Sequence, residues 1–240
     1  MNYLSFILFF LCLVSSNFIL AQQGDQKEKQ KDLLSSLNWK KWSPDPVPLF
    51  TPEESLAQFK LAPGFKIELV AHEPMVKDPV FIEWDDEGRM WVGELRTYMM
   101  DLDGSGENRR MSRVMVLEDT DGDGVMDQAT PFLEDMLNVR SIAFVDGGVL
   151  VVETGGLWFC KDKDGDLRCD ERKKLFDFAT SAKDNIEHAE NGLHYALDNW
   201  MYNSKSSRKL AWRKGKLIEM PAKARGQWGM GSDAYGRLFF

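Results

Sequence analysis

The sequence of 240 residues predicts an all-β fold, and three observations support this prediction. From residue 79 onwards, short apolar segments alternate with turn residues, as strands do. No long segment with the period of a helix follows residue 60. Turns that contain Asp recur near residues 86, 146, 198 and 233, in IEWDDEGRMWV, IAFVDGGVLVV, LHYALDNWMYN and MGSDAYGRLFF.

The intervals between these turns are typical of β-propeller blades. Each blade is a four-stranded sheet that buries its faces only against neighbouring blades. We therefore expect a partial β-propeller of about four blades, the N-terminal part of a larger propeller. A sandwich of unrelated hairpins is the alternative.

The N-terminal segment predicts export from the cytoplasm. Residues 1–21 carry no charged side chain, and their apolar run is followed by small and polar residues up to Ala21. This pattern predicts a signal peptide cleaved near Ala21, and an uncleaved anchor is the alternative. Residues 22–50, rich in Gln, Lys and Glu, predict a polar linker. We expect a secreted or periplasmic protein, or one associated with a membrane.

The propeller domain is expected to span residues 51–240 and to begin with a short helix. Thr51 can cap this helix, Pro52 suits its first turn, and Glu54 completes a capping box. The alternating segment FKIEL at residues 65–69 predicts the first strand. Further strands are predicted at residues 79–84, 89–95, 113–118, 141–145, 149–153, 157–161, 192–196, 200–202, 210–213, 216–219, 229–232 and 237–240.

Two acidic clusters, LEDTDGDGVMD and DKDGDLRCD, predict cation sites. Their aspartates share one spacing and are Asp119, Asp121, Asp123 and Asp127 in the first cluster, and Asp162, Asp164, Asp166 and Asp170 in the second. Carboxylates at alternate positions, with glycines that let the chain curl, suit Ca²⁺. The twelfth-position glutamate of an EF-hand is replaced by Thr130 and Lys173, so we expect structural calcium loops between strands. Solvated acidic turns without an ion are the alternative.

The net charge of −8 argues against nucleic acid as a partner. The cysteines that remain after signal-peptide cleavage, Cys160 and Cys169, flank the second acidic cluster. In an oxidising compartment they could form a disulfide across a hairpin. Two free thiols are the alternative.

Three segments carry a resemblance to a known family: SLAQFKLAPGFKIELVAHEPMVKDPVFIEWDDEGRMWVGELRTY, VMVLEDTDGDGVMD and EHAENGLHYALDNWMY. They resemble the opening domain of a family of membrane-bound dehydrogenases from planctomycetes and related bacteria. That domain is itself similar to the sorbosone and glucose dehydrogenase propellers that use pyrroloquinoline quinone. The resemblance covers about residues 51–240. It implies an extracytoplasmic oxidoreductase that acts on a small sugar or alcohol, with a downstream c-type haem region or another electron acceptor. The chain has no C-x-x-C-H motif, so it is not expected to carry haem itself.

The resemblance also implies site residues. His188, in EHAENGL, resembles the base that removes a substrate hydroxyl proton, although two residues separate it from Asn191. Asn191 and Arg96 are expected to contact pyrroloquinoline quinone, and Ca²⁺ would polarise the quinone. An ordinary loop role for His188, and an ion pair of Arg96 with Glu94 or Asp101, are the alternatives.

The second functional hypothesis is a non-catalytic propeller that binds glycans or proteins in the cell envelope, with Ca²⁺ in a structural role only. Propellers host both kinds of function, so the fold does not decide between them. The enzyme hypothesis requires that His188, Arg96 and Asn191 converge at one end of the central channel.

Overall fold

The computed structural model describes residues 49–101, 104–178 and 189–240. The chain divides into two units, Met1–Thr51 and Pro52–Phe240, and the fold described below is that of the second. The predicted signal peptide, nearly all of the predicted linker, and His188 lie outside the described residues. Among the helices that the structure describes, none is long and apolar enough to cross a membrane.

The fold is all-β, as predicted. Within the described residues, a short helix precedes fourteen strands. The helix is α1 (Pro52–Leu56), with Pro52 and two glutamates in its first turn. The strands are β1 (Pro79–Trp84), β2 (Met90–Glu94), β3 (Ser112–Glu118), β4 (Gln128–Met136), β5 (Ser141–Val145), β6 (Gly148–Glu153), β7 (Gly156–Lys161), β8 (Glu171–Phe176), β9 (Asn191–Tyr195), β10 (Met201–Ser204), β11 (Ser206–Arg213), β12 (Lys216–Arg225), β13 (Gly231–Ser232) and β14 (Leu238–Phe239).

The strands form four antiparallel sheets in which consecutive strands are neighbours. Sheet 1 contains β1–β4, sheet 2 contains β5–β8, sheet 3 contains β9–β12, and sheet 4 is the short pair β13–β14. Each of the first three sheets is therefore a four-stranded meander. This connectivity places its first and last strands at the two edges of the sheet.

Sheet 2 is packed on both faces, and all six residues of its strand β6 are buried. Neighbouring β6 side chains point to opposite faces: Val151 joins a cluster shared with sheet 1, and Leu150 joins one shared with sheet 3. Other buried members are Trp91, Val114, Val116, Ile142 and Cys160 in the first cluster, and Val152, Leu193, Met201 and Leu210 in the second. Sheets 1, 2 and 3 are thus stacked in chain order.

The prediction of a strand at residues 65–69 is wrong. This segment is irregular, and Phe65 is 75% exposed. The chain that follows it covers the outer face of sheet 1, where Val70 and Met75 pack against a buried cluster. The carbonyl of Val70 accepts a hydrogen bond from the amide of Met126 (2.8 Å). Alternation of apolar and charged residues did not suffice here, because a strand also needs a partner for its backbone groups.

The sequence patterns do not predict β4 and β8, the two strands that follow the acidic clusters. Both lie at the edge of their sheet. The exposed residues of β4 include Glu134 and Asp135, and those of β8 include Lys173 and Lys174. Charged residues of this kind protect the open edge of a sheet, and they also weaken the apolar pattern by which a strand is recognised.

We predict that Leu150→Ala destabilises the protein by about 2–5 kcal/mol, because it leaves a cavity where sheets 2 and 3 meet. Leu150 is fully buried, whereas Ile218 is 41% exposed on the opposite face of sheet 3. Ile218→Ala is therefore the matched control, and its effect should be well under half as large. Urea unfolding measures both, and equal losses of stability would contradict the stacking of sheet 3 on sheet 2.

Candidate functional site

The first acidic loop, residues 119–127, connects β3 to β4 and wraps its backbone around one carboxylate. Oδ1 of Asp119 accepts hydrogen bonds from the amides of Gly122 (2.7 Å) and Asp123 (3.2 Å), and Oδ2 accepts one from Gly124 (2.8 Å). Gly122 and Gly124 have φ angles of 79° and 91°, in the region that favours glycine. The amides, that of Gly124 foremost, lower the pKa of Asp119, so this carboxylate stays ionised.

A second aspartate closes the same loop. The carboxylate of Asp127 accepts hydrogen bonds from the hydroxyl of Thr120 (2.8 Å) and from its amide (3.3 Å). The amide of Asp127 donates to the carbonyl of Glu118 (2.9 Å), where β3 ends. The first and last aspartates of the cluster therefore define the shape of the loop.

The second acidic loop, residues 162–170, connects β7 to β8 and repeats this arrangement. Asp162 accepts hydrogen bonds from the amides of Gly165 (2.7 Å) and Leu167 (2.8 Å), and Asp170 accepts one from the amide of Lys163 (2.7 Å). Leu167 stands where the first loop has Gly124, and its φ of 64° is unfavourable for a side chain. Packing of Leu167 against the cluster between sheets 1 and 2 offsets that cost.

Each loop brings three carboxylates together. Ligand atoms of Asp119, Asp121 and Asp127 lie within 4.8 Å of one another in the first loop. In the second loop the residues are Asp162, Asp164 and Asp166. Two oxygens that bind one Ca²⁺ at about 2.4 Å can be at most about 4.8 Å apart, so both groups have dimensions that a calcium ion fits.

Two of the predicted ligands do not join these groups. In the described part of the chain, Asp123 lies outside the first triad and Asp170 outside the second. Asp123 accepts a hydrogen bond from the amide of Val125 (2.8 Å), and Asp170 holds the amide of Lys163. The structure thus brings together six of the eight predicted aspartates and gives the other two a role in loop geometry.

A buried glutamate stands at the other end of sheet 1, at the last residue of β2. The side chain of Glu94 is fully buried, and it accepts hydrogen bonds from the amide of Lys77 (2.8 Å) and from Nε of Arg113 (2.5 Å). The chain enters β1 just after Lys77. Glu94 therefore anchors this entry, and Arg113 neutralises its buried charge.

Sheet 2 has a glutamate at the equivalent position, the last residue of β6. Glu153 accepts hydrogen bonds from the amide of Leu137 (2.8 Å), from Nε1 of Trp158 (2.8 Å) and from Nη2 of Arg110 (2.9 Å). Leu137 precedes β5, so this glutamate also anchors the chain where it enters its sheet. Arg110 comes from the loop between β2 and β3, so the same contact ties sheet 1 to sheet 2.

Sheet 3 has its buried glutamate in a different place, immediately before β9. Glu190 accepts a hydrogen bond from Nδ2 of Asn203 (2.6 Å), and Nη2 of Arg208 lies 3.6 Å from its other oxygen. Burial raises the pKa of Glu190, and the charge of Arg208 offsets only part of that effect.

A buried arginine, Arg140, lies just before β5. Nε of Arg140 is 3.3 Å from the hydroxyl of Thr154, which it can donate to, and its guanidinium lies 5.2 Å from the ring centre of Trp228. Burial lowers the pKa of Arg140 to about 10. Nearby, the hydroxyl of Thr97 lies 3.3 Å from Oδ1 of Asn138. Polar groups of sheets 1 and 2 therefore meet where those sheets begin.

An open groove of about 660 Å³ lies between the outer strands of sheets 2 and 3. The rings of Phe159 and Trp212 stack in its wall with their centres 4.9 Å apart. Lysines from both sheets, among them Lys161, Lys173 and Lys216, line it as well. Asp146, Glu171 and Glu219 line the same groove, so its charge is mixed, and its aromatic wall suits a glycan or a peptide.

The structure shows contacts within the fold for Arg96 and Asn191, the two described residues that are predicted to bind a cofactor. Arg96 lies 3.8 Å from the carboxylate of Glu94, which is the ion-pair alternative. Nδ2 of Asn191 donates hydrogen bonds to the carbonyls of Gln227 (2.8 Å) and Ala189 (3.1 Å), and its Oδ1 accepts one from the backbone amide of Gly229 (2.8 Å). All of its hydrogen-bonding atoms therefore engage the main chain.

The third residue of that predicted site, His188, lies outside the described residues, so the convergence of His188, Arg96 and Asn191 stays a prediction. The sequence patterns did not predict the anchoring role of the buried glutamates. The available signal was a Glu at the end of an apolar strand, in MWVGE and GVLVVE.

The fold and these loops define an all-β protein of stacked antiparallel sheets with two carboxylate-bearing loops. The chain belongs to a family described as a domain of unknown function, DUF7133, whose model matches residues 51–240. A search of curated proteins found no match. The resemblance to quinone-dependent dehydrogenases stays a prediction.

We predict that Glu190→Gln makes stability less dependent on pH. Because burial raises the pKa of Glu190 in the folded state, its contribution is fully present below the unfolded pKa of about 4.3. That contribution is lost as the pH rises through the folded pKa. The melting temperature of the wild type should therefore fall relative to that of Glu190→Gln between about pH 4 and pH 7.

Glu219→Gln is the control for this comparison, because Glu219 is an exposed partner of the same Arg208 (2.8 Å). A difference between wild type and Glu190→Gln that does not change with pH would contradict the assignment.

Proposed function

We propose that the chain is a calcium-stabilised β-propeller module that binds a glycan or protein ligand outside the cytoplasm. The observation that carries this proposal is the pair of acidic loops. Each stands between the third and fourth strands of its sheet, has the same backbone arrangement, and brings three carboxylates together. The apolar N-terminal segment of the sequence supports the extracytoplasmic location.

The stacking of consecutive four-stranded meanders supports the propeller. Repetition of a turn supports it as well. Between β1 and β2, Asp85 accepts hydrogen bonds from the amide (2.9 Å) and from Nε (2.6 Å) of Arg89. Between β13 and β14, Asp233 makes the same two bonds with Arg237, at 3.0 Å and 2.6 Å. Sheet 4 therefore begins as sheet 1 does, which is the behaviour of a repeated blade.

Exposed apolar side chains at both ends of the stack also favour blades. On sheet 1, Ile82 and Trp84 are 53% and 52% exposed. On sheet 3, the face turned away from sheet 2 carries Ile218 and Met220, which are 41% and 45% exposed. Surfaces of this kind suit the packing of a further sheet.

Electrostatics explains why a cation would stabilise the loops. Three carboxylates within 4.8 Å repel one another, and the backbone amides bind mainly the first of them. A Ca²⁺ ion would neutralise the remaining charge and join the end of one strand to the start of the next. Its role in this proposal is structural, and the groove between sheets 2 and 3 is the proposed binding surface.

We predict that removal of Ca²⁺ by a chelator lowers the melting temperature, because an ion that binds only the folded state stabilises it by mass action. Asp121 belongs to the first triad. Asp121→Asn should therefore reduce the effect of the chelator, and Asp121→Asn combined with Asp164→Asn should abolish it. Differential scanning calorimetry with and without added Ca²⁺ measures these shifts.

Asp86→Asn is the matched control, because it removes one negative charge from an exposed turn that lies outside both loops. It should leave the effect of the chelator unchanged. An unchanged melting temperature of the wild type after complete removal of Ca²⁺ would overturn the structural-calcium proposal.

A quinone-dependent oxidoreductase is the second candidate function. The observation that favours it is the presence of buried ionisable groups with shifted pKa values. Glu190 follows His188 closely in the sequence, and Arg140 is buried just before β5. Shifted pKa values of this kind are concentrated at active sites, although structural ion pairs produce them too.

The oxidoreductase hypothesis predicts dye reduction when pyrroloquinoline quinone, Ca²⁺ and an aldose or alcohol are added. His188→Ala should lower the rate by about 100-fold or more, since the variant lacks the general base. His72→Ala, at an exposed position, should not. No reduction, or an equal rate in His188→Ala, would leave the non-catalytic module as the function.

A further inference from the structure

Cys160 and Cys169 stand at the base of the second acidic loop as free thiols, the second of the two arrangements expected from the sequence. Cys160 is buried in β7, Cys169 is partly buried, and both pack against the cluster that joins sheets 1 and 2. The two thiols lie close enough to interact electrostatically, and the thiol of Cys169 donates a hydrogen bond to the carbonyl of Glu171 (3.2 Å). Next to them, the amide of Asp170 donates to the carbonyl of Lys161 (2.9 Å) and closes the hairpin.

Comparison with the first acidic loop shows that the loop architecture does not require sulfur at these positions. The corresponding residues there are Leu117 and Met126, which are buried in one apolar cluster. The same positions are thus joined by an apolar contact in one loop and by two thiols in the other. The cysteines add a chemical capability that packing alone does not need.

We propose that Cys160 and Cys169 form a site of reversible oxidation, at which a disulfide closes the second acidic loop. The proposal is carried by the packing of both cysteines against one cluster at the base of a hairpin that is already closed. Both side chains pack against the same cluster, so they lie on one side of the hairpin. Partial exposure of Cys169 lets an oxidant reach it, whereas Cys160 is shielded.

The oxidant is a disulfide of low molecular weight, and it reacts with the two cysteines by thiol–disulfide exchange. Cys169 attacks one sulfur of the oxidant, loses its proton, and forms a mixed disulfide while one oxidant thiol leaves. Cys160 then loses its proton and attacks the sulfur of Cys169, and the second oxidant thiol leaves. Two S–H bonds are replaced by one S–S bond in the protein, and the oxidant takes up two electrons and two protons.

Oxidation should stabilise the protein, because the new covalent link restricts the unfolded chain. A second consequence rests on the proposed function. If the loop holds Ca²⁺, the link keeps the two ends of the loop together when the ion is removed. The melting temperature of the oxidised protein should then fall less on chelation than that of the reduced protein.

The test uses the full chain with Cys12→Ser, so that the pair accounts for all remaining thiols. Folded protein is equilibrated with oxidised or reduced glutathione, alkylated, digested and analysed by mass spectrometry. We expect a peptide pair that links Cys160 to Cys169 and is lighter by two hydrogens after oxidation. We also expect a melting temperature that is higher by about 5 °C or more in the oxidised state.

The control is Cys160→Leu combined with Cys169→Met, which installs the residue pair of the first loop and keeps the site packed. This variant should fold, and its melting temperature should not respond to glutathione. Wild-type thiols that stay fully alkylatable in oxidised glutathione, or that link one chain to another, would overturn the disulfide. A chelator without effect in both redox states would overturn the calcium proposal and leave the disulfide intact.

Discussion

The burial of sheet 2 on both faces is the constraint on which the rest of the described fold depends. Neighbouring residues of β6, such as Leu150 and Val151, are both fully buried although they point in opposite directions. A single sheet cannot bury both, so sheet 2 requires sheet 1 on one face and sheet 3 on the other. Burial of one such side chain contributes about 1.5–3 kcal/mol. Stacking of sheet 2 on sheet 1 follows the chain order, since only a short connection separates Met136 of β4 from Ser141 of β5.

Polar side chains lie at both ends of the stacked sheets, and their roles differ between the two ends. At one end the chain passes from one sheet to the next, and buried glutamates bind the backbone where it enters. Glu94 and Glu153 have arginine partners. Without them, the free energy of burying a charged carboxylate would exceed the stabilisation from its hydrogen bonds. At the other end β3 and β7 turn back through the acidic loops, where exposed carboxylates need counter-charge from solvent or a cation. The glutamates at the first end are thus paired within the protein, whereas the carboxylate groups at the second end have dimensions that an ion fits.

The sequence predicted most strands, because their apolar pattern and Asp-containing turns reflect local physics. It failed for β4 and β8, whose edge positions favour charged residues, and for residues 65–69, where alternation had no partner strand. It identified the acidic loops, since their aspartates are close together in the chain. It did not identify the partners of Asn191 or Glu153, because those contacts join segments brought together only by stacking. Local spacing therefore predicts the loops better than it predicts the polar contacts between sheets.

The two acidic loops show which of their features the fold specifies. Gly124 and Leu167 occupy the same position with positive φ, so glycine is convenient there but not required. The pairs at the loop base also differ, an apolar contact in one loop and two thiols in the other. Both loops keep a first aspartate that binds backbone amides and a last aspartate whose amide closes the hairpin. Of the triad members, Asp121 and Asp164 lie between those two residues in both loops, so the shape of the loop depends on them least. Substitution of these two aspartates therefore separates the effect of a cation from the effect of the loop geometry most directly.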